Sequence, residues 1–174
     1  MNVPTGFIHT VWNRVKQLWK WVLGGGALLF AALQLLPAPA PNPAAPPGRD
    51  ILATNPPPAE IAGILRAACY DCHSDETQLP WYGHVAPVSW WLAGHINDAR
   101  KRLNFSDWPR EDPQRAAKKL NRVNEEVSSG DMPLRSYTWM HPAARLSDAQ
   151  RRQLADWAEQ QAGLLKSDAG NSPP

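Results

Sequence analysis

Cys69-Tyr70-Asp71-Cys72-His73 decides how this chain is read, because these five residues hold both cysteines of the sequence and follow them at once with a histidine. The C-x-x-C-H spacing is that of covalent haem attachment. Two thiols three positions apart reach two vinyl groups on one porphyrin edge, and the next side chain brings an imidazole nitrogen under the iron. Cys69 and Cys72 are therefore predicted to attach one covalent haem c, with His73 as the proximal iron ligand. A zinc site competes poorly, since a closed site wants four ligands and would have to recruit His73 and one of His84, His95 or His141. A redox C-x-x-C belongs beside a βαβ pattern, and no such pattern is present.

Just upstream of the motif, Ile61, Ile64, Leu65 and Ala68 follow the i, i+3, i+4, i+7 rule, which predicts a helix running straight into Cys69. A second helix is predicted from about 88 to 103, with Pro87 suited to its first turn and Trp91, Leu92, His95, Ile96 and Ala99 on neighbouring faces. The third opens on Asp112 as N-cap and Pro113 at the first helical position. It spaces Ala116, Leu120, Val123 and Val127 for burial and stops at Gly130. A fourth opens on the capping box Ser147 and Gln150, carries Leu154, Trp157 and Leu164, and loosens at Gly163. No stretch alternates with period two and no repeat is visible, so the domain is read as all-α, about four helices with long loops, over residues 58–165. Residues 166–174 are expected to form a disordered tail.

The chain has 174 residues, 43% hydrophobic and 20% charged, which suits one modest domain. A formal charge of +2, with Lys and Arg scattered among acids, does not support nucleic-acid binding. The first 58 residues differ in kind from the remainder: Arg14, Lys16 and Lys20 precede the apolar run 21–36, and no acid occurs before Asp50. That is an export signal, either a retained single-pass anchor in the inner membrane or a cleaved leader. The run gives a helix of roughly 24 Å against a ~30 Å hydrocarbon core, so length leaves both open. Pro41 after Ala38-Pro39-Ala40 is a poor cleavage context, and Trp12, Trp19 and Trp21 suit an interface, both of which favour the anchor. Positive-inside orientation then puts everything after Leu36 in the periplasm, the side on which c-type haem is attached. Residues 37–57, in a stretch with nine prolines between 37 and 58, are expected to be a semi-rigid tether without a partner.

A six-coordinate carrier needs a second axial ligand, and beyond the N-terminal residue only Met132 and Met140 offer a thioether. Met132 is the better placed, in Gly130-Asp131-Met132-Pro133, where the proline restricts the preceding backbone. Gap-filling is the competing role for such a methionine, and His95 and His141 are the competing ligands. Met140 beside Trp139 reads as packing. The tryptophans at 81, 90, 91, 108, 139 and 157 are read mostly as core, some of them lining the porphyrin. Arg100 and Arg135 are candidate propionate partners, although a solvated surface is the commoner place for arginine. Glu125 and Glu126 read as a solvated helix face, and no hydrolytic constellation or phosphate loop stands out.

These motifs resemble the small bacterial haem-binding domain family of monohaem c-type cytochromes. The likeness is carried by Cys69 to Ser74, Pro80-Trp81-Tyr82, Ala86 to Trp90, Leu103 to Trp108, Gly130 to Leu134 with Tyr137, His141 to Ser147, and Trp157, in order over about 58 to 160. It implies a cytochrome c-like fold, haem held at Cys69, Cys72 and His73, and Met132 in the distal position. Leu79 and Ala99-Arg100 depart from the Trp and Gly-Arg of the pattern, which touches packing alone. The resulting expectation is a membrane-tethered periplasmic one-electron carrier that serves larger redox proteins and turns over no substrate of its own. A five-coordinate haem sensor or small-ligand binder, or a peroxidase-like enzyme with His95 or His141 as acid-base group, is the alternative.

Overall fold

The computed structural model describes residues 5–109 and 111–171, and the side chains of 12–109 and 111–167. Among them are eight α-helices and no strand: α1 (Thr5–Leu33), α2 (Ile51–Thr54), α3 (Ala59–Ala68), α4 (Tyr70–His73), α5 (Val88–Arg102), α6 (Pro113–Ser129), α7 (Arg135–Met140) and α8 (Asp148–Asn171). Single 3-10 turns cover Trp81–His84 and Pro142–Ala144. Chain contacts divide the described residues into two compact units, one drawn from 1–39 and 80–93, the other from 40–79 and 94–174.

In the first unit α1 starts well before the apolar run, because a helix continues wherever no breaker intervenes and Gly24 to Gly26 alone are insufficient. Trp19, Trp21, Leu23 and Leu28 along it are exposed. No helix among the described residues is long and apolar enough to cross a membrane. Past its end, the Gln34 amide accepts from the Ala86 N–H at 2.9 Å and donates to the Ala86 carbonyl at 3.2 Å. The Trp90 indole donates to the Leu36 carbonyl at 3.2 Å.

The second unit holds the main core. Three of the four helices expected from sequence and the greater part of the other, α5, are there, and α6 and α8 carry the expected caps. The Asp112 carboxylate accepts from the Arg115 N–H at 2.8 Å, and Gly130 ends α6 at φ 84, a left-handed conformation that favours glycine. Ser147 and Gln150 cap α8 reciprocally, at 2.9 and 3.2 Å. α6 packs most extensively on α8. Leu120 and Val123 on one, Leu154 and Ala158 on the other, join Ile61, Leu65, Phe105 and Trp108 in one buried cluster. Leu120 is 0% exposed at that junction. Leu120→Ala is accordingly expected to cost about 2–5 kcal/mol, a large part of a small domain's stability, read as a lowered denaturant midpoint.

Four expectations are corrected. α8 does not loosen at Gly163 but continues to Asn171, through most of the expected tail. An interior glycine costs only ~1 kcal/mol, and burial of Ala158 and Ala162 offsets it; Leu164 faces solvent. Composition presents 37–57 as a free tether, yet it is pinned to the domain from Asn42 onward. The Asn42 N–H reaches the Asn97 side chain at 2.9 Å, and the Ala45 N–H reaches Asp75 at 2.6 Å. Ile51 is fully buried, with its N–H on the Phe105 carbonyl at 2.9 Å. Prolines forbid inner helix and strand but not docking of an extended chain, and Ile51 supplies the apolar reason to dock. Asp50 caps α2 and accepts from the Tyr70 hydroxyl at 2.9 Å; burial and that bond hold the phenol well above its usual pKa. Among the domain tryptophans only Trp108 and Trp157 are buried, while Trp81, Trp91 and Trp139 are exposed. Arg100 is not solvated, with its side chain 8% exposed.

Candidate functional site

α3 ends at Ala68, and the Cys69 carbonyl at its end accepts from both the Cys72 N–H (3.2 Å) and the His73 N–H (2.9 Å). The motif is thus one turn of helix, α4. Positions i, i+3 and i+4 share a helix face, so Cys69, Cys72 and His73 project together. The turn is stopped by its neighbours: the Ser74 hydroxyl donates to the Tyr70 carbonyl at 2.8 Å, and the Thr77 hydroxyl to the Asp71 carbonyl at 2.6 Å. Both cysteines are free thiols, half-buried. Burial, then mutual repulsion with Cys72, pushes the Cys69 thiol up to about 12; burial and the Asp71 charge push Cys72 to about 11, against the pull of Arg100.

His73 is held from the far side. Its Nδ1 lies 3.0 Å from the Leu103 carbonyl just past α5, and since a carbonyl only accepts, Nδ1 carries the proton. Nε2 is left with a free lone pair, the form in which an imidazole binds a metal. Burial lowers the pKa of His73, opposed by hydrogen bonds to Leu103 and Ala99, so the ring is neutral. The Phe105 ring meets it edge-on at 6.4 Å, and the Phe105 N–H donates to the His73 carbonyl at 2.7 Å.

Cys69 and His73 open into a cleft of about 680 Å³ whose apolar wall is Ala68, Leu103, Phe105, Val123 and Val127. Met132 lines the same cleft. Its N–H donates to the Glu126 carbonyl at 3.0 Å. Its carbonyl accepts from Arg151 Nη1 at 2.9 Å, and the same nitrogen reaches the Val127 carbonyl at 2.7 Å. The loop after α6 is thereby bolted to α8. Cys72, though on the motif face, is not in the cleft wall. His95 is half-buried outside it, and His84 is exposed. His141 stacks on Tyr137 at 4.1 Å in a second cleft of about 430 Å³ that also takes Asp71, Arg66 and the half-exposed Met140. The Tyr137 hydroxyl donates to Asp71 at 2.6 Å. Contrary to expectation, no tryptophan lines the larger cleft among the described residues; α6 and the segment after α5 supply its apolar wall.

Arg100 binds neither cleft. Its Nη2 donates to the Thr77 hydroxyl at 2.7 Å, Nη1 lies 3.7 Å from Asp75, and Nε has no hydrogen-bond partner among the described residues. It ties α5 to the loop after the motif. Sequence reasoning did not find Leu103 as the histidine's orienting acceptor or Arg151 as the bolt on Met132, since neither carries a local signal. Nor did it single out the cations of α6 that line the cleft.

A half-open apolar cleft of this volume suits a cofactor, and one lined by Cys69 and a neutral His73, with Cys72 on the same turn beside it, suits haem in particular. The haem-binding domain family matches residues 28–160, and the chain belongs to it. It is a haem-binding protein. Neither the curated proteins nor the solved structures yielded a match.

Proposed function

We propose that Cys69 and Cys72 attach a single haem c covalently, that His73 and Met132 are its axial ligands, and that the protein is a one-electron carrier. The observation that carries this reading is the presence of His73, with Nε2 free and Nδ1 engaged, in one cleft with Met132 and beside both thiols. Bound haem supplies the Fe(III)/Fe(II) couple. The chain supplies the rest: Leu103 orients the imidazole, Arg151 and Glu126 hold the Met132 backbone, and Leu103, Phe105, Val123 and Val127 exclude water. His95 and His141 lie outside the cleft, which disfavours a distal acid-base role and with it peroxidase chemistry.

Periplasmic location and membrane attachment belong to the same proposal. They are supported by the basic residues before the apolar run, by the exposed apolar side chains of α1, and by the chemistry of covalent haem attachment. Redox proteins are the expected partners.

The test is the optical spectrum, oxidised and reduced, of the full chain produced with the c-haem maturation machinery. Covalent low-spin haem with the weak band of thioether-ligated ferric iron is expected. High-spin haem that takes up carbon monoxide stoichiometrically would move the protein to the sensor class, and absence of covalent haem would overturn the reading.

A further inference from the structure

The cleft is apolar inside and strongly positive at its mouth. Lys101 and Arg102 at the end of α5, with Arg115, Lys118, Lys119 and Arg122 along one stripe of α6, line it against a single acid, Glu126. Five of the six are exposed, and only Lys119 is half-buried. The nearby acids are mostly spent. Asp98 pairs with Lys101 at 2.9 Å and Asp107 with Arg49 at 3.0 Å, while Glu125 and Glu126 share the one cation Arg122 at 3.8 and 3.4 Å and leave one negative charge over.

Arg102, Arg115, Lys118 and Lys119 are left without a carboxylate partner among the described residues. Lys119 instead donates to the Arg102 carbonyl at 3.1 Å, and burial followed by repulsion from Arg115 lowers its pKa. The carboxylate left over at Arg122 offsets one of these four charges, and the two propionates of a haem would offset at most two more, so the mouth stays net positive. The whole chain carries only +2, so the surplus is concentrated at the mouth of this cleft.

We infer that this rim is the docking face for an acidic surface of a redox partner. Clustered like charges around a low-dielectric cleft focus the field outward and raise the encounter rate with anions while repelling cations. A haem held by Cys69, Cys72 and His73 would exchange its electrons within that field. The inference rests on the electron-carrier reading and adds to it the kind of partner and the face it uses. A nucleic-acid role is not favoured by a stripe of this size on a chain of low net charge.

Stopped-flow oxidation of the reduced holoprotein tests it, with ferricyanide as anionic probe and tris(phenanthroline)cobalt(III) as cationic probe. Between about 0.01 and 0.15 M ionic strength the screening length falls from ~30 to ~8 Å. Ferricyanide should slow by about tenfold over that range, while the cobalt complex should accelerate. The exposed double substitution Arg115→Glu, Lys118→Glu should reverse both trends while the haem spectrum stays unchanged, which certifies the fold. Rates insensitive to salt and to the substitution, with normal spectra, overturn the docking face and leave the carrier reading in place. A protein that takes up haem but exchanges electrons with neither reagent overturns both.

Discussion

Met132→Ala is expected to turn a low-spin haem into a high-spin one that binds carbon monoxide on reduction, with loss of the thioether band. The reduction potential should fall by tenths of a volt, inside the ~0.8 V range that axial ligands span. Among the histidines and methionines weighed for the sixth position, Met132 alone shares the cleft with His73. Its backbone is clamped on both sides, by the Glu126 carbonyl and by Arg151. Arg151 should therefore act as a positioning residue. Arg151→Gln frees the Met132 and Val127 carbonyls together, and a mixture of low- and high-spin haem is expected, with Arg151→Lys partly restoring the wild-type spectrum. An unchanged spectrum in Met132→Ala would show that the sulfur is packing and not a ligand.

The second large effect concerns attachment. With both Cys69→Ala and Cys72→Ala in place, the chain made with the maturation machinery should carry no haem that survives denaturation, whereas the single variants should retain one thioether. The two thiols and the imidazole share one helical turn, so neither thiol has a substitute; the sequence contains no other cysteine. Haem fluorescence or peroxide staining on a denaturing gel reads the result. Covalent haem in the double variant would sink the attachment proposal. Non-covalent binding through His73 can persist, since the Leu103 carbonyl that orients the ring is a backbone group and is untouched.

Much of this was legible before any coordinates. The caps at Asp112, Gly130 and Ser147 act through contacts within four residues, so local sequence suffices to place both ends of α6 and the start of α8. The apolar spacing of Ile61, Ile64, Leu65 and Ala68 likewise marked the helix that delivers Cys69. The short helices α2 and α7 were not legible. They are too short to show a period, and α2 is held by contacts with Phe105 and Tyr70 far along the chain. The burial of Arg100 is illegible in the sequence for the same reason, because its partners Asp75 and Thr77 lie across the unit.

The sequence by itself determined the helical class, the C-x-x-C-H spacing and the helical turn that carries it, because spacing along a helix is a local property of the chain. Tertiary structure decided which side chains meet that turn. It brought Met132 and left His95 and His141 outside, chose Leu103 to orient the imidazole and Arg151 to hold the Met132 loop, docked the proline-rich segment through Ile51, and gathered the cations of α5 and α6 at one mouth. Each of these depends on which long-range contacts bury the most apolar surface while satisfying the polar groups taken with it, and no window of sequence contains both partners.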